Sequence, residues 1–221
     1  MTFTVKRREQ VAAYLLAGGA SSRMGRDKAL LDFGGVPLIV HAARLVEPLV
    51  AGVTLVGPPS LLADTGLSTI ADDDSSSLSE TQTERRGPLA GIAAALTASR
   101  WPWNLILACD LPYLSFEWLD WLLSRAERSD RQLVIPQSER GLEPLAAVYR
   151  RECREPLAAA LERGKRKVTD AIAPLRMDVV HEREWKHLDP QHLILKNMNT
   201  PEDYEEARKW RNAVASAALR K

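Results

Sequence analysis

The amino-acid sequence predicts one α/β domain built on a mostly parallel central sheet. Short apolar runs recur along the chain, and each is bounded by glycine, proline or a charged residue. Segments with helical apolar spacing lie between them, so the first half alternates strand and helix. Continuously apolar strands are typical of parallel sheets that are covered on both faces. A chain of 221 residues is long enough to bury such a core.

The first half of the chain supplies four predicted strands and two predicted helices. A helix is predicted over residues 37–50, where apolar side chains recur every three or four positions after a proline. A second helix is predicted over residues 88–99. Residues 72–86 are rich in Ser, Asp, Glu and Thr and predict a solvated loop. The strands are predicted at residues 11–17, 53–56 and 104–108, with a further one ending at Ile70.

The second half is predicted to be mixed. Ser115 is a suitable cap for a helix through residue 128, and Thr200 for a terminal helix that starts at Pro201. Pro136 is expected to halt the preceding strand. Shorter helices are predicted at residues 156–163 and 168–173. The strands are predicted at residues 132–135, 145–149, 177–181 and 193–196.

Composition excludes several classes of protein. The formal net charge of +1 argues against a nucleic-acid-binding protein, which needs clustered positive charge. Cys109 and Cys153 lie far apart and suggest neither a disulfide framework nor a zinc site. No apolar stretch reaches the ~20 residues of a membrane span. Basic residues precede the run 11–17, but that run is short and charges follow it closely, so we expect a cytoplasmic protein.

Residues 16–28 are the most informative segment. A predicted strand runs into two glycines and several small residues, followed by Arg23, a further glycine and Lys28. Glycines let backbone N–H groups approach phosphate oxygens, and the two cations can neutralise phosphate charge. The spacing matches neither G-x-x-x-x-G-K-[ST] nor G-x-G-x-x-G. It therefore predicts a triphosphate-binding loop of another kind, or else an ordinary glycine-rich turn with a surface ion pair.

Asp110 follows the predicted strand 104–108 directly. It therefore falls at the carboxyl end of the sheet, where open α/β sheets place their ligands. A lone carboxylate there suits Mg²⁺, which binds one or two carboxylates together with substrate phosphates and water. The alternative is an aspartate that caps the turn before Pro112.

Four segments taken together resemble a known family. They are residues 16–28, 87–91 (Gly-Pro-Leu-Ala-Gly), 109–112 (Cys-Asp-Leu-Pro) and 197–203 (Asn-Met-Asn-Thr-Pro-Glu-Asp). Their sequence and order resemble the molybdenum cofactor nucleotidyltransferases, particularly the guanylyltransferases. The resemblance implies a Rossmann-like three-layer domain of the nucleotide-diphospho-sugar transferase type over residues 1–221. Residues 11–112 would form its nucleotide-binding half and residues 113–221 its acceptor-binding half.

The resemblance also implies roles for individual residues. Arg23, Lys28 and Asp110 would be catalytic, with Asp110 binding Mg²⁺. Asn197 and Asn199 would lie near the second substrate, although residues 199–202 are also explained as a helix start. The basic turn that contains Arg166 and Lys167 is either a docking point for the acceptor phosphate or a solvated turn. The residues expected to bind the nucleotide are Leu16, Ala17, Gly18, Gly19, Lys28, Asp72, Pro88, Leu89, Gly91 and Asp110.

Asp72 is chosen from three successive aspartates because it follows the apparent strand end at Ile70, yet the loop after it is longer than the family pattern.

The pentapeptide Glu-Pro-Leu-Ala-Ala occurs at Glu143 and again at Glu155, in different predicted settings. We therefore infer no internal repeat.

The implied reaction joins GTP to the phosphate of molybdopterin or its metal-loaded form and releases pyrophosphate. The attacking phosphate is already anionic near neutral pH, so catalysis requires positioning and charge neutralisation rather than a nucleophilic side chain. A cytidylyltransferase of the same family is the nearest alternative. Gly18-Gly19 after Ala17, together with residues 88–91, resembles the guanylyltransferase pattern more than the cytidylyltransferase one and so favours guanine. Further alternatives are transfer to another phosphorylated acceptor and a non-catalytic GTP-binding chaperone. Transient contact with molybdoenzymes or other cofactor-biosynthesis proteins is also expected.

Overall fold

The computed structural model describes residues 7–17, 27–72 and 87–218. An eight-stranded sheet forms its centre, in the order β3-β2-β1-β4-β7-β5-β6, with β8 also paired to β5. The strands are β1 (Arg8–Leu16), β2 (Val50–Val56), β3 (Thr69–Ile70), β4 (Trp103–Ala108), β5 (Leu133–Ser138), β6 (Gly141–Leu142), β7 (Ala146–Arg150) and β8 (Met177–His181).

The sheet is mostly parallel, as predicted. Strands β1 to β4 run parallel to one another, and β8 runs parallel to β5. Strand β7 lies antiparallel between β4 and β5, and β6 is antiparallel to β5. Six of the eight described strands therefore point the same way, so their carboxyl ends meet at one edge of the sheet.

Helices cover both faces of the sheet. They are α1 (Leu38–Val46), α2 (Pro59–Leu62), α3 (Gly87–Ala98), α4 (Phe116–Arg128), α5 (Arg154–Glu162), α6 (Val168–Ile172), α7 (Glu182–Trp185) and α8 (Pro201–Ala218). Single turns of 3₁₀ helix lie at Lys28–Leu30, Glu47–Leu49, Ala63–Thr65, Arg151–Cys153 and Lys186–Leu188. None of the helices in the described ranges has the length and apolar character needed to cross a membrane.

Strand β1 shows why the domain has three layers. Its side chains alternate between the two faces of the sheet because the side-chain period of a strand is two. Ala13 and Leu15 join the core under α1 and α4, whereas Tyr14 and Leu16 join the core under α3, α5 and α6. Both sets are almost fully buried, so the strand is continuously apolar from Val11 to Leu16, as the central part of a parallel strand must be.

The predicted strand at residues 193–196 is wrong. The segment forms turns held by the buried carboxylate of Asp189, which accepts hydrogen bonds from the N–H groups of Leu193 (2.9 Å) and Ile194 (3.0 Å). Ile194 and Leu195 are nevertheless buried. The apolar run therefore indicated burial and not a strand, and none of the strands in the described ranges pairs with it.

Two prolines change element boundaries relative to the sequence-based predictions. The helix predicted over residues 37–50 ends at Val46, because Pro48 lies in the 3₁₀ turn Glu47–Leu49 and the chain then enters β2. Pro136 does not halt its strand, since β5 continues to Ser138 and the Pro136 carbonyl accepts a hydrogen bond from Glu143 N–H at 2.9 Å.

Both predicted helix caps are confirmed. The Ser115 hydroxyl accepts a hydrogen bond from Trp118 N–H at 3.3 Å at the start of α4. The Thr200 hydroxyl accepts one from Asp203 N–H at 3.2 Å, and the Asp203 carboxylate accepts from Thr200 N–H at 2.9 Å. Side-chain oxygens thus accept hydrogen bonds from the N–H groups at both ends of the first turn of α8. The predicted solvated loop, from residue 73 on, lies outside the described residues.

Candidate active site

The carboxyl ends of β1, β2 and β4 meet at the edge where the site is predicted. Ala17 N–H donates to the Val56 carbonyl at 2.8 Å, and Cys109 N–H donates to the Leu16 carbonyl at 3.2 Å. These bonds continue the ladder one residue past each strand. The chain segments that leave β1 and β4 are therefore held side by side, which places Leu16 and Ala17 next to the Cys109–Asp110 turn.

Lys28 and Asp110 face each other at this edge. Lys28 Nζ lies 4.0 Å from Asp110 Oδ2 and donates a hydrogen bond to Asn199 Oδ1 at 2.9 Å. Met198 N–H donates to the Asp110 carbonyl at 2.9 Å, which ties the segment before α8 to the end of β4. Three side chains that are separated by up to 171 positions therefore form one polar cluster, which we call the Lys28–Asp110–Asn199 cluster.

Local structure holds Lys28 in place. The Asp27 carboxylate accepts a hydrogen bond from Ala29 N–H at 2.9 Å and so caps the 3₁₀ turn Lys28–Leu30. Ala29 is completely buried. The backbone of Lys28 is thus fixed on both sides, and the ammonium group is directed at the edge of the sheet.

Burial raises the pKa of Asp110, and the nearby Lys28 ammonium only partly offsets that effect. Within the described part of the chain, Asp110 Oδ1 is buried and has no hydrogen-bond partner. An orphaned carboxylate oxygen of this kind is ready to take a cation. The described residues contain no group of three His, Cys, Asp or Glu side chains arranged for a metal. A single carboxylate with one unpaired oxygen, as Asp110 provides, fits Mg²⁺, whose other ligands would be substrate phosphates and water.

Cys109 is not a nucleophile in this arrangement. Its side chain is buried, and burial raises the pKa of the thiol well above its usual range, with the carboxylate of Asp110 acting in the same direction. The thiolate is the reactive form of cysteine. The residue therefore packs beneath the cluster and takes no chemical role there.

The glycine-rich start of α3 lies against β1. Leu89 is completely buried, and Pro88 is exposed. A Cβ atom added to Gly91 would meet Leu16 Cδ2 at 3.1 Å and Leu16 Cγ at 3.3 Å. Gly91 therefore permits close packing of a helix on a strand. Nucleotide contact by Leu89 and Gly91 would have to come through their backbone and stays a prediction.

Replacing Gly91 with Val is expected to lower the free energy of unfolding by about 1–3 kcal/mol, because the added methyl groups overpack the contact with Leu16. Urea denaturation measures the effect. Gly52→Val is the matched control, since a Cβ at Gly52 meets nothing within 4 Å and valine suits a strand. Equal destabilisation of the two variants would contradict the packing role of Gly91.

One cavity lies at the start of α3 and another extends along the helix. The Pro88 cavity has a volume of about 400 Å³ and brings together Pro88, Asn197, Arg166 and Lys167, four of the residues singled out from the sequence. The Asp72 cavity has a volume of about 750 Å³ and contains Asp72, Lys165 and again Arg166. The basic turn between α5 and α6 therefore borders both cavities.

Comparison with known proteins decides the family. Residues 13–178 match the model of the MobA-like NTP transferase domain. The chain belongs to this family. Its fold agrees with that of the molybdopterin-guanine dinucleotide biosynthesis protein A from Archaeoglobus fulgidus, with a TM-score of 0.75, 23% identity and coverage of 91% of this chain and 99% of that one.

Other MobA-like relatives are similar over most of their length. A probable molybdenum cofactor guanylyltransferase from Pelotomaculum thermopropionicum is 31% identical over 200 residues, which are 90% of this chain and 92% of that protein. The molybdenum cofactor guanylyltransferase of Pseudomonas aeruginosa strain LESB58 is 33% identical over 189 residues, or 85% and 89% of the two chains. The 2-C-methyl-D-erythritol 4-phosphate cytidylyltransferase of Thermus thermophilus shares the fold alone, with a TM-score of 0.64, 18% identity and coverage of 90% and 98%.

Apart from Leu89 and Gly91, which pack at the start of α3, the residues predicted for this MobA-like NTP transferase divide into three sets. Lys28, Asp110 and Asn199 meet in one cluster, with Leu16 and Ala17 beside it. Pro88, Asn197, Arg166 and Lys167 share the Pro88 cavity, and Asp72 lies in the neighbouring one. Gly18, Gly19 and Arg23 lie outside the described residues.

Sequence reasoning missed Glu143 and Arg140. Glu143 lines the Pro88 cavity, and its Oε1 accepts a hydrogen bond from Arg140 Nη2 at 3.2 Å. Arg140 also donates to the Leu195 carbonyl and so holds the loop that carries Asn197. The one sequence signal for Glu143 is its position: it is a charged residue two positions before the apolar strand predicted at residues 145–149.

Proposed function

We propose that this chain is a cytoplasmic enzyme that transfers GMP from GTP to the phosphate of molybdopterin or its metal-loaded form. The observation that carries the proposal is the Lys28–Asp110–Asn199 cluster at the carboxyl edge of the sheet. The names of the guanylyltransferase relatives, which match this chain over about nine-tenths of its length, support the choice of base and acceptor.

The chemistry balances without a nucleophilic side chain. An oxygen of the acceptor phosphate attacks the α-phosphorus of GTP, the bond between the α- and β-phosphates breaks, and pyrophosphate leaves with the negative charge. The attacking oxygen is already anionic, so no proton has to be removed. The protein must hold two anions in line and lower their repulsion, which is the task of preorganised positive charge.

Each part of the site has a proposed role. Lys28 and Arg23 bind the triphosphate, and the backbone of residues 16–19 approaches its oxygens. Asp110 would hold Mg²⁺ together with substrate phosphates, and the ion would supply further charge neutralisation. Asn199 orients the Lys28 ammonium through the 2.9 Å hydrogen bond.

The two halves of the chain have separate proposed tasks. Residues 11–112 bind the nucleotide, with Asp72 and the backbone of Pro88, Leu89 and Gly91 beside the base and ribose. Residues 113–221 bind the acceptor through Asn197, Asn199, Arg166 and Lys167. Transfer of the product would involve transient contact with molybdoenzymes or other cofactor-biosynthesis proteins.

Turnover with GTP and CTP on the same molybdopterin acceptor tests the proposal. We expect Mg²⁺-dependent pyrophosphate release and a dinucleotide product with GTP, at a rate at least about ten times that with CTP. Each hydrogen bond that the wrong base fails to make costs about 1 kcal/mol or more. A preference for CTP would make the chain a cytidylyltransferase. GTP binding without pyrophosphate release would favour a non-catalytic module.

A further inference from the structure

The Pro88 cavity contains a carboxylate that the proposed reaction does not use. Glu143 follows β6, and its side chain is 18% exposed. Its Oε1 accepts hydrogen bonds from Ser138 Oγ at 2.6 Å and Arg140 Nη2 at 3.2 Å. Both donors belong to the β5–β6 hairpin, so the carboxylate has a fixed orientation. Among the described residues, no hydrogen bond engages Oε2, which leaves that oxygen available to a ligand.

A second oxygen acceptor belongs to a residue that lines the same cavity. Asn197 lines it, and its Oδ1 is buried without a hydrogen-bond partner in the described part of the chain. Acceptors that lack donors within the protein are satisfied by a ligand that brings donors. Pro88, Leu111 and Val168 give the cavity apolar walls, and about 400 Å³ accommodates a small heterocycle. The lining thus suits a flat ring with N–H groups on one edge.

We propose that Glu143 recognises the amino-pyrimidinone edge of the pterin acceptor and sets the specificity for that acceptor. The inference rests on the proposed function. The edge carries a ring N–H beside an exocyclic amino group, and either of these groups can donate a hydrogen bond to Oε2 of the Glu143 carboxylate. Arg166 and Lys167, in the same cavity, supply positive charge for the acceptor phosphate. A ring with a carbonyl in place of the amino group would be repelled by Glu143, so the residue selects by attraction and by rejection.

Guanine carries the same edge and is the other source of this chemistry. The position of the cavity favours the pterin. Ala108 and Leu111 lie on either side of Cys109–Asp110, so the cavity adjoins the carboxylate where the two substrates must meet. Apart from Pro88 and Ala108, its lining comes from residues 111–197, which are almost all in the proposed acceptor half.

Binding of a stable pterin tests the inference. The probe is 6-hydroxymethylpterin monophosphate, followed by its fluorescence, and the comparison ligand is the lumazine counterpart with an oxo group in place of the 2-amino group. Both are titrated against wild type, Glu143→Gln and Glu139→Gln, and GTP with Mg²⁺ is titrated in parallel by calorimetry. Glu139 is an exposed neighbour on the same hairpin and is absent from the lining of the Pro88 cavity, which makes it the matched control.

Glu143→Gln is expected to weaken pterin phosphate binding about 10- to 100-fold, as loss of a charge-assisted hydrogen bond does. The preference for pterin over lumazine should disappear, whereas GTP affinity stays at the wild-type value and Glu139→Gln behaves as wild type. Loss of order in the hairpin alone would weaken both ring types equally and would retain the preference.

Three results separate this inference from the proposed reaction. A retained pterin preference in Glu143→Gln overturns the inference. Weakened GTP binding in the same variant also overturns it, because guanine would then occupy the cavity. A wild type that binds pterin phosphate through Glu143 but forms no dinucleotide from GTP and molybdopterin overturns the proposed reaction and leaves the inference standing.

Discussion

Replacing Asp110 with Asn is expected to lower the rate of GMP transfer about 1,000-fold or more. A neutral amide is a poor ligand for Mg²⁺, so the positive charge of the ion would be lost from the point where the substrates meet. The loss should appear in kcat, with GTP binding in the absence of Mg²⁺ retained or strengthened. Steady-state pyrophosphate release across a range of Mg²⁺ concentrations measures it. Asp64→Asn, at an exposed position, is the control and should behave as wild type. Turnover near the wild-type rate would rule out Asp110 as the metal ligand.

The same substitution is expected to stabilise the metal-free fold at neutral pH. Burial raises the pKa of Asp110 above that of an unfolded aspartate. A folded state that holds its proton more tightly is favoured at low pH and loses stability as pH rises through the raised pKa, so ionised Asp110 destabilises the fold at pH 7. Asn cannot ionise and avoids this cost. The thermal midpoint of Asp110→Asn should exceed that of wild type at pH 7, and the difference should shrink below about pH 4.

Lys28→Met is expected to reduce kcat/KM for GTP about 100- to 1,000-fold, since the ammonium group lies 4.0 Å from Asp110 and would neutralise phosphate charge in the proposed site. Lys28→Arg should recover little of this activity, because the broad guanidinium group does not fit between Asp110 and Asn199 as a point charge does. Initial rates with saturating acceptor give the comparison. Lys186→Met, at an exposed position, is the control.

The Lys28 and Asp110 variants should differ in stability. Lys28→Met removes the positive charge that lowers the pKa of Asp110, so the buried carboxylate loses its counter-charge and the fold should become less stable at pH 7. Asp110→Asn should become more stable under the same conditions. Thermal melts of the two variants therefore distinguish two causes of lost activity. Opposite changes in stability indicate that activity is lost through the change in charge and not through misfolding. Destabilisation of both by the same amount would contradict the electrostatic account of the cluster.

Much of the fold could be predicted from local pattern. The apolar runs of β1 and β4 predicted central parallel strands, and Ser115 and Thr200 predicted helix starts, because strand burial and capping depend on neighbours a few positions away. The same reasoning failed at residues 193–196. There the buried apolar side chains belong to a loop held by Asp189, and periodicity alone does not distinguish a buried loop from a buried strand.

The sequence by itself determined the family and the central α/β architecture, and it placed Asp110 at the end of a buried strand. Only the tertiary structure decided that Asn199 reaches Lys28 across 171 positions, that Gly91 serves close packing on Leu16, and that Glu143 shares a cavity with Asn197. Local structure follows from spacing and turn chemistry within a few residues. Convergence of side chains follows from strand order and register, which are set by pairing and packing between distant segments.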